Sequence, residues 1–275
     1  MKHALFALAV LTGCATATTP TPASAPQCAP ADALINSVLW VTSAAEYRAN
    51  ALQTYAAATR QLDAALADRS FVGAEEETNE DPSQPPAVIL DLDETALDNR
   101  AYEARAIRAG VTYDKPMWVK WVGESGADAV PGAKEFLAYA QSRGVTPFYI
   151  TNRDQDPEGP GTRRNLELLG FPLTADNLLM RGTRPEWKSD KSSRRAHVAS
   201  SYRVLMLIGD DLNDFTNARD KSQAEREAII ARTKDWWGTR WFILPNPMYG
   251  SWERAVTGDQ GTPCEQLRKK MEALP

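Results

Sequence analysis

The sequence predicts an α/β fold, a Rossmann-like parallel sheet with helices on both faces. Short apolar runs alternate with stretches of helical periodicity. Those runs are apolar throughout and do not alternate with polar residues, which fits strands buried on both sides. The length of 275 residues suits one large α/β domain, or one such domain with a small cap.

The elements follow in order. From residue 31 to about 68, Leu34, Val38, Val41, Ala45, Leu52, Tyr55, Leu62 and Leu66 recur at helical spacing, as one long helix or two in succession. "GAEEETNEDPSQPP" (73–86) is an acidic, Pro-rich loop, and Glu75, Glu76 and Glu77 read as a solvated charge run. "AVILD" (87–91) is the first strand. "PGAKEFLAYAQSRG" (131–144) is a helix with Pro at its start and Gly at its end. "VTPFYITN" (145–152) is a strand, "RRNLELLG" a helix, "NLLMRG" (177–182) a short strand, "KSSRRAHVASSY" a helix and "RVLMLIGDD" (203–211) a strand.

In open parallel sheets, ligands bind beyond the carboxyl ends of the strands. The polar residues at those ends are Asp91 and Asp93, then Thr151 and Asn152, then Asp210, Asp211 and Asp214. Lys188 and Lys191 fall at the helix start after "NLLMRG", at the same edge. "AVILDLDETALDN" (87–99) aims a buried strand at three acidic residues, Asp91, Asp93 and Glu94. Like charges so close raise each other's pKa, so a cation between them is the expected remedy. Mg²⁺ takes hard oxygen ligands and bridges carboxylates to phosphate, so this crevice suits a magnesium site that handles a phosphomonoester.

Other chemistries lack support in the sequence. No Walker-type phosphate loop and no G-x-S-x-G elbow is present. Beyond the N-terminal leader the chain holds one His, His197, expected mid-helix in a structural role, which leaves a phospho-histidine mechanism poorly supplied. The net charge of −5 argues against a nucleic-acid polymer as partner.

The N-terminus reads as a leader. Lys2 and His3 precede an apolar "ALFALAVL" (4–11), too short to span a bilayer as a mature helix. "LTGC" (11–14) resembles the bacterial lipobox, with Cys14 as the lipidated residue; an ordinary secretory signal with an incidental Cys14 is the alternative. Ala15 after the Cys implies outer-membrane sorting under that resemblance. The organisation is then residues 1–13 signal peptide, 14–30 lipidated Cys and Thr/Pro/Ala-rich tether, and 31–275 the folded domain. Cys28 and Cys264 can pair in an exported compartment or remain free thiols.

"DLDET", "ITNR", "DKSSRR" and "IGDDLNDF", in that order at strand ends and a helix start, resemble the four motifs of the haloacid dehalogenase superfamily. With "LWVTSAAEYRANALQTYAAATRQLD", "KPMWVKWV" and "LPNPMYGSWERAV", the chain is similar to the class C acid phosphatases, the lipoprotein acid phosphatases of bacterial outer membranes. The resemblance implies the haloacid dehalogenase fold with a small, mainly helical cap, to which the N-terminal helix and the 100–130 insertion contribute. It implies Asp91 as the nucleophile that forms an aspartyl-phosphate, and Asp93 as the acid that protonates the leaving group and then the base that activates water. Thr151 and Asn152 would hold phosphoryl oxygens, and Lys191 would neutralise charge. Mg²⁺ would sit on Asp91, the Asp93 carbonyl and Asp210, with Asp211 and Asp214 holding metal-bound waters or orienting the Lys. Asp98 is read as a helix cap. Trp118 and Trp121, three apart on one helical face, and Tyr249 are candidate substrate contacts. The implied substrates are 5′-nucleotides, nicotinamide mononucleotide and aryl phosphates. A phosphotransferase on the same intermediate and a non-catalytic ligand-binding lipoprotein are the alternatives; the intact Asp91, Asp93, Lys191 and Asp210 set argues against the second. A homodimer stays open.

Overall fold

The computed structural model describes residues 28–77, 81 and 83–275, so Cys14, the signal and most of the tether lie outside the described residues. A 3-10 helix, Pro30–Leu34, leads into α1 (Ile35–Ser43) and α2 (Ala45–Ala67). The two helices in succession are separated by Ala44, whose extended ψ of 130° breaks the run.

Strand β1 (Pro86–Leu90) is followed by β2 (Leu97–Asp98), α3 (Arg100–Arg108), α4 (Lys115–Glu124) and β3 (Asp128–Ala129). β2 and β3 pair antiparallel as a small separate sheet. This insertion between β1 and the next sheet strand is where a cap was expected. Then come α5 (Ala133–Ser142), β4 (Thr146–Asp154), α6 (Gln155–Leu169) and β5 (Leu178–Arg181). The chain crosses back through α7 (Ser192–Ala199) to β6 (Arg203–Gly209), α8 (Leu212–Phe215), α9 (Gln223–Arg232) and β7 (Trp241–Ile243). It ends in α10 (Ser251–Thr257) and α11 (Pro263–Glu272).

The main sheet has five parallel strands in the order β5-β4-β1-β6-β7. Successive residues of a strand point to opposite faces. On one face Val88, Leu90, Tyr149, Met206 and Ile208 pack with Tyr55 and Leu62 of α2 and Phe136 and Leu137 of α5. On the other, Ala87, Ile89, Phe148, Ile150 and Leu207 pack with Val198 of α7, Phe215 and Trp241. Both faces are thus covered, which is why no strand alternates. The predicted α/β class is the one observed.

Strand order reverses at β1, between β4 and β6, so the crevice at their carboxyl ends is the switch point of the sheet. Cys28 and Cys264 form a disulfide with a Cα–Cα distance of 6.0 Å. Among the described residues no helix is long and apolar enough to cross a membrane. The acidic run is not solvated as expected. Glu76 pairs with the fully buried Arg195 at 2.7 Å, and Glu75 bonds Arg232 and Thr216 at 2.5 Å each. Burial pushes Glu77 up to about 7.

Candidate active site

β1 delivers Asp91 to the crevice while its N–H still donates to Ile208 O at 3.0 Å, so the residue remains tied to β6. The chain then turns sharply: Glu94 N–H and Leu97 N–H close bonds of 2.7 Å to Leu97 O and Leu92 O. Glu94 takes φ +56°, a strained conformation for a residue of its size. It is buried, and it accepts from Asn99 N–H at 2.8 Å and from the Tyr249 hydroxyl. Burial, then Asp93 and Asp210, hold its carboxyl well above the usual range.

Lys191 stands immediately before α7, as its N-cap, with only 4 % of its surface exposed. Its ammonium donates to Asp91 and to Asp214 Oδ1, the latter at 2.6 Å. The two arginines that follow fix the helix. Arg194 donates to Thr151 O at 2.5 Å and to Asn152 Oδ1 at 2.7 Å, which locks α7 to the end of β4. Arg195 donates to Asn213 O at 3.0 Å and Asp214 O at 3.1 Å, which locks it to α8. Burial would lower Lys191, but Asp214 and Asp91 outweigh it and hold the ammonium above its ordinary value.

Asp91, Asp210 and Asp214 each bring one carboxylate oxygen within 4.8 Å of the others. Asp210 accepts from Asn246 at 2.8 Å and Thr95 at 3.2 Å. Asp214 Oδ2 accepts the Asp210 and Asp211 N–H groups at 3.1 and 2.9 Å. Gly209 makes that approach possible, because a Cβ there would lie 2.3 Å from Asp214 Oδ2. Burial, then Lys191 against Asp214 and Asp93, leaves Asp91 raised to about 7. Burial and the neighbouring Asp214 and Asp91 carry Asp210 well above its usual value. Three mutually repelling oxygen donors, Asp91 and Asp214 buried and Asp210 partly so, are the donor set of a hard divalent cation, and the residues fit one.

The Asp93 carboxylate turns to Arg153, which grips it with Nε at 3.0 Å and Nη2 at 2.7 Å, while Asn99 Nδ2 donates at 2.8 Å. Arg153 is buried and lies 5.2 Å from the Trp118 ring centroid. Trp118 in turn meets Tyr102 edge-on at 4.9 Å. These groups open on a cleft of about 650 Å³, whose lining includes Asp91, Asp93, Asn152, Lys191, Asp210, Asp214, Trp118 and Tyr249. Glu103, also on that lining, is pushed up to about 7 by burial and by Asp93 and Glu253.

Several residues stand elsewhere than expected. Trp121 is 4 % exposed and donates its indole N–H to Asn99 Oδ1 at 2.9 Å, so it belongs to the core beneath the cleft and not to its lining. Asp211 is also turned from the acidic cluster: its carboxylate caps α8 through Asn213 N–H at 2.9 Å and accepts the Ser251 hydroxyl at 2.5 Å. The Asn152 amide is occupied by Ser189 O at 3.0 Å and Arg194 at 2.7 Å. Thr151 is fully buried, with its hydroxyl oxygen accepting Arg153 N–H at 3.0 Å. Lys188 is exposed and precedes the helix start, since α7 begins at Ser192 with Lys191 as its N-cap. Asp98 does accept the Arg100 N–H at the start of α3, at 3.0 Å. Sequence reading missed Arg153, Asn246 and Glu103. For Arg153 the signal was present, as the last letter of "ITNR" beside two strand-end acids.

The family model for the HAD superfamily, subfamily IIIB (acid phosphatase), matches residues 14–252 of the 275. The chain belongs to this family. Its structure is similar to that of the class C acid phosphatase from Bacillus anthracis, at 32 % identity and a TM-score of 0.79, covering 90 % of this chain and 98 % of that one. The crystal structure of that class C acid phosphatase with tungstate bound matches at 33 % identity and the same TM-score of 0.79, over 89 % of this chain and 98 % of that one. The enzyme is accordingly a phosphoric monoester hydrolase acting on a small-molecule phosphoester.

Proposed function

We propose that the enzyme hydrolyses phosphomonoesters through an aspartyl-phosphate on Asp91, with Mg²⁺ as cofactor and 5′-nucleotides, nicotinamide mononucleotide and aryl phosphates as substrates. The observation that carries this reading is the buried Lys191 held between Asp91 and Asp214, with Asp210 alongside. A lysine there draws the phosphoryl group to the Asp91 oxygen and neutralises charge as the P–O bond forms. Asp91, Asp210 and the Asp93 main-chain carbonyl would hold the Mg²⁺, with Asp214 completing the acidic set. When bound, the ion neutralises phosphoryl charge and orients the ester.

Asp91 attacks phosphorus, and the bond to the leaving alkoxide breaks. Asp93, fixed by Arg153 and Asn99, gives that oxygen its proton and then takes one from the water that releases phosphate. Because the Asn152 amide is engaged, Thr151 and Asn152 serve the phosphoryl oxygens from the end of β4 chiefly by where Arg194 holds that strand end. Trp118 and Tyr249 border the space for the rest of the ester.

The location proposed is the outer membrane, through lipidated Cys14, with residues 15–30 as tether; Cys14→Ser should leave protein that no longer pellets with membranes. The activity is tested by turnover of 5′-AMP and p-nitrophenyl phosphate by the full chain, with and without EDTA. Asp91→Asn should abolish turnover, and EDTA should suppress it until Mg²⁺ is restored. Turnover by Asp91→Asn near the wild-type rate would sink the mechanism, and indifference to EDTA would sink the metal.

A further inference from the structure

One wall of the cleft is built from the two ends of the described chain. Pro30 and Leu34 of the 3-10 helix line it, with Pro263, Gln266, Leu267 and Lys270 of α11. Cys28 lies just ahead of the 3-10 helix and Cys264 in the first turn of α11, so the disulfide joins the two halves of this wall. α11 lies beyond residue 252, where the family match ends.

α11 buries none of its ten residues. Its other fastenings are an ion pair from Lys270 to Glu253 and bonds from Lys269 Nζ to Thr257 O at 2.6 Å and Gln260 O at 3.2 Å. Partly exposed ion pairs contribute little, and a helix this short is marginal by itself. α11 is therefore held by half-buried contacts of Gln266 and Leu267 and by these bonds, and the disulfide ties it directly to the chain just ahead of the 3-10 helix.

We propose that the stapled 3-10 helix and α11 form a specificity wall, which contacts the part of the ester remote from phosphorus and selects nucleoside-sized substrates over small ones. The proposal rests on the phosphatase reading above. The wall offers apolar surface from Pro30, Leu34 and Leu267, and a donor and an acceptor from the Gln266 amide. That combination matches the body of a nucleoside, with its flat apolar faces and hydrogen-bonding edges. A cleft of about 650 Å³ is in the size range that encloses a ligand much larger than phosphate. None of the wall residues touches Asp91, Lys191 or Asp210 through a hydrogen bond among the described contacts, so the wall can alter binding without altering the reacting groups.

The test measures kcat and KM for 5′-AMP and for glycerol 3-phosphate, using the full chain. The variants are Cys28→Ser/Cys264→Ser and, with the disulfide intact, Gln266→Ala/Leu267→Ala. Both should raise KM for 5′-AMP about tenfold with kcat unchanged, the size of effect that a few lost pocket contacts give. kcat/KM for glycerol 3-phosphate should stay within about twofold, because a small ester makes little use of such contacts. If the serine variant fails to fold, the Gln266→Ala/Leu267→Ala result decides. An unchanged KM for 5′-AMP, or equal losses on both esters, would overturn the wall. A wild-type chain that hydrolyses neither ester would overturn the phosphatase reading and take the wall with it.

Discussion

Lys188 and Lys191 show what burial does to two identical side chains three positions apart. Lys191 is 4 % exposed and bonded to two carboxylates, while Lys188 faces solvent. Lys191→Ala should lower kcat on 5′-AMP by ~10²–10³, in the range of losing one preorganised charge at a reacting centre. Lys188→Ala should cost less than about threefold, as an exposed charge does. A larger loss for Lys188 would contradict the site. For Asp93, leaving-group chemistry is the readout. Asp93→Asn should lose more rate on 5′-AMP, whose alkoxide needs a proton, than on p-nitrophenyl phosphate, whose phenolate leaves unaided. Equal losses would argue against proton donation. Asp91 and Asp93 were legible because a strand end locates them without knowledge of side-chain direction, whereas the helix start offered Lys188 and Lys191 alike and only the family resemblance favoured Lys191. The place of Trp121 was not legible. A spacing of three puts it near Trp118 on α4 but cannot say which side of that shared face meets the core.

At the scale of elements, α8 is four residues long and cannot stand by propensity. It is held by a reciprocal cap in which Asp211 accepts the Asn213 N–H at 2.9 Å and Asp214 accepts the Asp211 N–H at 2.9 Å. Asp211→Ala should therefore lower stability by about 1 kcal/mol, seen as a lower urea midpoint, while the proposed response of turnover to EDTA and Mg²⁺ is unchanged. Loss of the metal response with unchanged stability would return Asp211 to the acidic cluster. α2 and α5 were legible from their helical spacing, and β1, β4, β5 and β6 as unbroken apolar runs that end in polar residues. β7 has three residues and β2 and β3 two each, too short for any period to show. The acidic run at 75–77 was misread for another reason: its partners, Arg195 and Arg232, are more than a hundred residues away in sequence.

For the whole molecule, carboxyls shifted by folding set a pH window, and Glu103 and Asp154 show its two signs. Burial raises Glu103 to about 7, above an unfolded value of about 4.3. The folded state then binds more protons than the unfolded state between those values, so the contribution is full below about 4.3 and fades as pH rises through about 7. Asp154 runs the other way. The bond from Arg181, against some burial and with help from Lys115, lowers it to about 2, so its contribution is present above about 3.9 and is lost as pH falls through about 2. Urea unfolding should therefore give a higher midpoint at pH 5 than at pH 8, and Glu103→Gln should reduce that difference but not remove it, since Glu77 and Asp91 are also raised to about 7. An unaltered slope in the variant would assign the dependence to other groups. Such effects were invisible in the sequence, since Glu103 becomes buried only when α3 closes over the cleft beside Asp93.

The central claim is that Asp91 carries the phosphoryl group, and the direct test is to find it there. In Asp93→Asn the residue that activates water is gone, so an activated ester should still phosphorylate the enzyme while release is slowed. The variant is mixed with p-nitrophenyl phosphate and Mg²⁺, quenched in acid, digested, and its peptides are mapped by mass spectrometry. The phosphoryl adduct is expected on the peptide that contains Asp91, and absent when Asp91→Asn is added. An adduct on any Ser, Thr or His, or one that survives Asp91→Asn, would contradict the mechanism.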